Sequence, residues 1–245
     1  MENKIDLKIN FIFFLLFFLF SGLVFAKQDY PKSFFDAKKK VRLIFQDMKK
    51  TFYCGCSYDN HNKVRLKTCG YKVRKNHKRA KRIEIEHIVP AENFGRGMKS
   101  RCWTNPICTK KNGKKYKGRA CCLKADKKFK NMHNDLHNLV PAIGEINGDR
   151  SNFRFSALDT TDAHYGGCNF KIDFKGRKVE PSNRVKGVVA RVYLYFRDTY
   201  GMRLSKQQAK LFTTWNNQYP PEQWEVKWNE RVFKIQGNYN SYIAK

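Results

Sequence analysis

Acidic residues are scarce in this chain: 21 Asp and Glu stand against 50 Lys and Arg over 245 residues, a net charge of +29. That imbalance excludes a polycationic partner and leaves three uses for the charge: solubility, a membrane surface or a polyanion. Other features are missing too. No run beyond Ala26 is apolar enough to span a membrane. There is no internal repeat and no low-complexity linker, which excludes a solenoid or a string of tethered modules. No Cys-x2-Cys pair occurs, so the usual zinc knuckle is not available.

What is present begins with an export signal. Lys4 and Lys8 precede an unbroken apolar run, Phe11 to Phe20, and Val24-Phe25-Ala26 offers a cleavage site, so residues 1–26 read as a signal peptide. The sixteen residues from Phe11 to Ala26 fall short of a spanning helix, which prefers roughly 20. An uncleaved anchor is the alternative. No cysteine sits at the cut, so a lipid anchor is not indicated. Glu2, Lys4, Asp6 and Lys8 cancel, so the whole +29 belongs to residues 27–245, long enough for one domain with a real core.

The eight cysteines all follow the signal, an even count that in an exported chain reads as up to four disulfides. A zinc set drawn from Cys54, Cys56, His61 and Cys69 is the rival reading.

The element pattern predicts an α+β fold in a single mixed domain. A helix is expected from Ser33 to Lys50, capped by Ser33 with Asp36 three residues on. Small strands pinned by bridges are expected over 51–82, and crosslinks should hold the polar stretch 93–134. Short strands follow at Phe153–Phe155 and Asn169–Phe174. The last third reads as helical. Val185, Val188, Val189, Val192, Tyr193 and Phe196 form one stripe ending near Gly201. Ser205 caps the next helix, and Pro221 suits the first turn of a final one.

Two motifs carry chemistry. Ile83-Glu84-Ile85-Glu86 alternates as a strand, with both glutamates on one face, and a bend before Pro90 can bring Glu86 and His87 to one site. Read alone, this is a surface carboxylate pair beside a partly buried histidine. The second motif, Asp135 to Asn152, changes that balance. Val140-Pro141-Ala142 reads as a helix start with Glu145 and Asn147 about a turn inside, although Asn147-Gly148 is also a common turn dipeptide. A carboxylate and an amide are oxygen ligands suited to Mg²⁺, which keeps several waters. A neutral His87 beside that ion can deprotonate a water for attack on phosphorus. Basic runs flank the acidic motif: ten Lys or Arg and no acid over 63–82, and twelve against Asp126 over 99–130. They read as an electrostatic wall around a phosphate site.

At these residues the chain resembles the bacterial endonuclease I family of periplasmic and secreted nucleases. The resemblance runs through Phe52-Tyr-Cys-Gly-Cys56, Thr68-Cys-Gly-Tyr-x-Val-Arg74 and Arg82-Ile-Glu-x-Glu-His-x-Val-Pro90. It continues through Asp135-Leu-His-Asn-Leu-x-Pro-Ala-Ile-Gly-Glu-x-Asn-Gly-Asp-Arg-Ser-Asn152, Tyr165-Gly, Ala190-Arg-x-Tyr-Leu-Tyr195 and Ile235-Gln-Gly-Asn238. It implies a ββα-metal finger around one Mg²⁺, with Mn²⁺ or Ca²⁺ as substitutes. It places the general base on His87, the protein metal ligands on Glu86 and Asn147, and the phosphate-contacting arginine on Arg119. It also implies non-specific cleavage of double-stranded DNA, in some members of RNA too, to 5′-phosphate products. The expected protein is a monomer, periplasmic or secreted, without stable membrane association once the signal is cleaved.

The chain departs from the family around 103–122, where an insertion holds Cys108 and Cys121, and it lacks a C-terminal cysteine pair. The bridges expected are Cys54–Cys168, Cys56–Cys69, Cys102–Cys122 and Cys108–Cys121. Two other functions compete: a non-catalytic basic DNA-binding protein, and a metal-free ribonuclease using His87 and His137 as acid and base.

Overall fold

Ser33 opens the first helix as its sequence context predicts: its Oγ accepts the Asp36 amide at 3.1 Å and α1 runs Phe34–Ile44. The helix stops short of the expected Lys50. Arg231 donates to the Ile44 carbonyl, and Asp47 pairs with Lys227 and Arg231. Those tertiary bonds hold residues 45–47 in a turn. The computed structural model describes residues 28–159 and 164–243, so the expected signal peptide lies outside the described residues.

Residues 51–82 form fewer strands than expected. The backbone makes isolated bridges such as Tyr58 with Val64, a 3-10 turn at Leu66–Cys69, and the single turn α2 at His77–Ala80. Asp59 accepts the amides of His61 and Lys63, both at 2.9 Å. Such side-chain bonds give the backbone an alternative to a ladder.

Strand β1, Ile83–His87, and helix α3, Ala91–Gly95, follow. A two-residue hairpin, β2 at Cys108–Thr109 with β3 at Lys115–Tyr116, leads to α4, Arg119–Ala125, and α5, Lys127–Asn134. After a 3-10 turn at Leu136–Asn138 comes β4, Leu139–Ile143, which pairs antiparallel with β1. Glu84 lies opposite Ala142 and Glu86 opposite Val140.

Val140-Pro141-Ala142 is therefore strand, not the helix start the sequence suggested. The helix α6 begins three residues past Pro141 and spans Gly144–Arg150. Proline survives in β4 because of which edge it faces. The Pro141 carbonyl accepts the Phe52 amide at 2.8 Å, outside the β1–β4 pair. A strand residue's N–H and C=O point the same way, so the missing N–H removes no bond to β1. Asn147-Gly148 is helical, not a turn. A Cβ at Gly148 would collide with the Arg79 guanidinium, and one at Gly144 would lie 2.7 Å from the Arg79 carbonyl. Both glycines let α6 sit against α2.

Three short strands follow: β5 at Arg154–Phe155, β6 at Lys171–Asp173 and β7 at Lys178–Glu180, in the order β5-β7-β6. The last was not expected, being only three residues beside a turn. The helical end holds α7, Asn183–Tyr200, α8, Lys206–Gln218, and α9, Gln223–Gln236. All six predicted stripe residues of α7 are buried, and so are Ala190, Arg191, Leu194 and Tyr195. The helix is thus enclosed nearly all round. Tyr193 stacks on Phe212 of α8 and meets Phe155 of β5, and Arg191 makes a buried bidentate pair with Glu225 of α9. Ser205 caps α8 as predicted, through the Gln208 amide. Pro221 stops just short of α9, whose cap is Glu222.

All eight cysteines pair, as Cys54–Cys168, Cys56–Cys69, Cys102–Cys122 and Cys108–Cys121, the expected set. The zinc reading of Cys54, Cys56 and Cys69 is overturned, since bridged sulfurs are not thiolate ligands. One buried apolar cluster joins residues from α1 to α9, consistent with a single mixed domain.

Candidate active site

Strand β1, backed by β4, and helix α6 form one wall of an open cavity of about 660 Å³, lined by residues of β1 and α6. Glu86, His87, Asn147 and Arg119 all line it, so every sequence-predicted site residue meets there. Its rim is basic. Arg82 comes from the first basic run and Arg119 from the second, while Lys38 and Arg42 come from α1, which sequence reasoning had not assigned to the site.

His87 is 8% exposed, and its ring stacks on Phe34 with centroids 5.1 Å apart. Its Nε2 lies 2.8 Å from the His133 carbonyl. A carbonyl can only accept, so Nε2 carries the proton and Nδ1 keeps its lone pair in the neutral ring. Burial, then the neighbouring His133 ring, push the His87 pKa well below 6.5, against the bond to the His133 carbonyl; Arg119 and Arg150 add to the depression. The neutral form is therefore the resident one near pH 7.

Glu86 is buried, and its Oε1 accepts from Tyr53 Oη and Arg150 Nη1, both at 3.0 Å. Burial raises its pKa, and Arg150 and Tyr53 oppose that rise without cancelling it. Arg150 is fully buried and also donates to the carbonyls of His87, at 2.7 Å, and Ile88, at 2.5 Å. One guanidinium thus fixes the carboxylate and the backbone beside the histidine. Among the described residues no side chain donates to Glu86 Oε2.

Asn147 donates from Nδ2 to Glu84 Oε2 at 2.8 Å. That bond turns its Oδ1 away from Glu84. Burial pushes the Glu84 pKa up, but hydrogen bonds from Arg79, Arg82 and Asn147 outweigh it and hold the carboxyl below its ordinary value. Glu145, in the same helix, faces away from the cavity. It accepts the amides of Lys75, at 2.8 Å, and Asn76, at 2.5 Å, together with Tyr71 Oη at 2.7 Å. Asp149 takes a bidentate pair from Arg74, at 3.0 and 2.7 Å, and so also serves the frame.

Among the described residues no three His, Cys, Asp or Glu side chains converge in a metal-holding cluster. Beside His87 the cavity offers instead Glu86 Oε2 and Asn147 Oδ1, a carboxylate and an amide oxygen, a hard pair that suits a strongly hydrated divalent ion.

The two-histidine ribonuclease reading fails on position. His137 does not line the cavity. Its Nε2 meets the Asn238 carbonyl at 3.0 Å, and its ring packs against Tyr195 and Trp228. The histidine beside His87 is His133, with ring centroids 4.6 Å apart.

Sequence reasoning missed Tyr53, Arg150, His133 and Phe34. Arg150 offered a signal, since it follows Asp149 in the second motif. The others act through contacts between distant segments. Asn138 was also unassigned: its side chain exchanges bonds with the Val89 amide and carbonyl, at 2.6 and 3.0 Å, and ties the end of β1 to the start of β4.

Residues 24–245 match the family model described as Endonuclease I. A Buchnera aphidicola protein named Endonuclease-1 is 43% identical over 95% of this chain and 88% of its own length. Two Aeromonas hydrophila proteins are also similar. The one named extracellular deoxyribonuclease is 44% identical over 88% of this chain and 91% of its own length. The one named periplasmic deoxyribonuclease is 41% identical over 87% and 86%.

Proposed function

The chain belongs to the endonuclease I family, and on that premise we propose that it is a periplasmic or secreted, metal-dependent endonuclease. Its substrate is double-stranded DNA, which it cuts without sequence preference as a monomer. The names of the Aeromonas relatives support both the substrate and the location. Among the described residues no helix is long and apolar enough to cross a membrane. We assign residues 1–26 as the export signal and 27–245 as the nuclease domain.

The observation that carries this reading is the shared cavity of His87, Glu86 and Asn147, with the His87 tautomer fixed by the His133 carbonyl. Glu86 Oε2 and Asn147 Oδ1 would hold one Mg²⁺, and the β1–β4–α6 unit would be the ββα-metal finger. When bound, that ion supplies charge neutralisation at the scissile phosphate and at the departing 3′ oxygen. His87 Nδ1 takes a proton from water as its oxygen attacks phosphorus. The P–O3′ bond breaks, the departing oxygen takes a proton from a solvent water and His87 returns its own to solvent, leaving a 5′-phosphate and a 3′-hydroxyl. Arg119, exposed at the mouth of the cavity, binds the phosphate through its planar fork.

Plasmid DNA incubated with the purified protein tests the proposal. Cleavage should need added Mg²⁺, stop with EDTA and leave ends that ligate without prior phosphorylation. Binding without cleavage would instead mark a DNA-coating protein, and cleavage in EDTA would refute the metal site.

A further inference from the structure

A second groove, of about 600 Å³, opens beside the catalytic cavity and shares Glu92 and Asn152 with it. Four of its lining residues are cations. Arg96 is neutralised by Glu92 at 2.6 Å. Arg154, Arg177 and Lys178 are exposed and belong to no ion pair among the described residues.

Their placement is built into the fold. Parallel pairing of β5 with β7 sets Arg154 beside Lys178, while the alternate residues Phe155 and Val179 are buried. Both charges therefore stand on the outer face. Arg177 has a φ of +54°, in the left-handed region. Its guanidinium donates to Asn152 at 2.5 Å and lies 5.2 Å from the Phe153 ring. Non-glycine residues keep such backbone angles where the surroundings over-determine them, commonly at ligand clamps. Asn152 thus joins the two grooves: it lines both and orients a cation of the second.

We propose that duplex DNA runs from the catalytic cavity into this groove, where Arg154, Arg177 and Lys178 hold backbone phosphates remote from the scissile one. The inference rests on the nuclease reading and extends its substrate contacts. None of these cations lies in the basic runs at 63–82 or 99–130; the site arises only where two strands distant in sequence pair. Phosphate contacts fix position and carry little sequence information, as a non-specific enzyme requires. The duplex form matters, because a rigid helix bridges two adjacent grooves without the cost of ordering a flexible strand.

The test uses the full, disulfide-intact chain and a labelled duplex of about 30 base pairs, roughly three helical turns. Binding is followed by fluorescence anisotropy in EDTA, from low to physiological salt. Arg154→Gln/Lys178→Gln should flatten the slope of log K against log salt by about 2, since each phosphate contact contributes about 0.9. Adding Arg177→Gly, which suits the positive φ, should flatten it further. The charge-preserving Arg154→Lys/Lys178→Arg should keep the parent slope. With Mg²⁺ present, the charge-removing variant should show a raised KM on long duplexes and an unchanged kcat. A parent-like slope in the Gln variant overturns the proposal, and so does loss of slope in the charge-preserving one. A parent that binds with the expected slope but never cleaves would sink the nuclease reading and leave the groove standing.

Discussion

Arg150→Met removes the guanidinium that holds the proposed catalytic corner together. Arg150 is 0% exposed, pairs with Glu86 at 3.0 Å and satisfies the carbonyls of His87 and Ile88. Methionine retains the length of the side chain and none of those bonds. Removing one partner of a buried pair costs about 3–5 kcal/mol, because the surviving charge is left uncompensated. Tyr53 still donates to Glu86, and the carboxyl can take up a proton, which trims that cost. The two orphaned carbonyls add about 1 kcal/mol each. The expected loss is about 4 kcal/mol. In a domain of this size each kcal/mol shifts Tm by about 2–4 °C, so melting should fall by about 8–16 °C. Guanidinium titrations on oxidised protein, followed by tryptophan fluorescence, give the free energy directly. Glu86→Gln/Arg150→Met should be more stable than the sum of the single variants predicts, with a coupling of at least about 1 kcal/mol. An Arg150→Met protein melting within about 3 °C of the parent would refute this account of the corner.

His87→Ala should lower plasmid cleavage by about 10²–10⁴, the usual contribution of a general base, with DNA affinity in EDTA unchanged; parent-like cleavage would make His87 structural. Asn147→Ala should weaken Mg²⁺ binding so that excess ion partly restores the rate, whereas no excess should restore His87→Ala; calorimetric Mg²⁺ titration reads the same loss without DNA. Burial lowers the His133 pKa from 6.5 to about 4. Its folded pKa lies below the unfolded one, so the unfolded chain takes the proton first. Stability is full above pH 6.5 and declines towards pH 4, by about 3 kcal/mol from this residue. His133→Phe should flatten that decline in denaturant titrations at stepped pH, and an unchanged slope would reject the buried neutral histidine.

Local signals carried much of the fold. The Ser33 and Ser205 caps, the glutamates alternating in β1 and the α7 stripe all depend on neighbours a few residues away. Two of the failures come from tertiary contact, whereas the strands missing from 51–82 were lost in part to local bonds of Asp59. Pro141 reads as a helix start until Phe52 is seen on its outer edge. Residues 45–49 read as helix until Arg231 takes the Ile44 carbonyl. At the site, the residue types of the two motifs offered a carboxylate, an amide and His87, and the resemblance to the endonuclease I family then put the proposed ligands on Glu86 and Asn147. The tautomer of His87 was not legible, because it depends on a carbonyl 46 positions away.

The scarcity of acids acquires a structural meaning at this corner. Glu84 accepts from Arg79 at 3.0 Å, from Arg82 at 2.8 Å and from Asn147 at 2.8 Å. An ionised carboxylate can only accept, so the Asn147 amide must present its NH₂ to Glu84 and turn its oxygen elsewhere. A glutamine at position 84 would offer both an acceptor and a donor, and the Asn147 amide could then flip. Glu84 would thereby be a positioning residue for the proposed ligand oxygen; it lines the cavity, where Arg79 and Arg82 match its charge. Glu86 is matched in the same way by Arg150. With these carboxylates matched inside the frame, Lys38, Arg42 and Arg119 at the rim keep a positive field for an incoming phosphate.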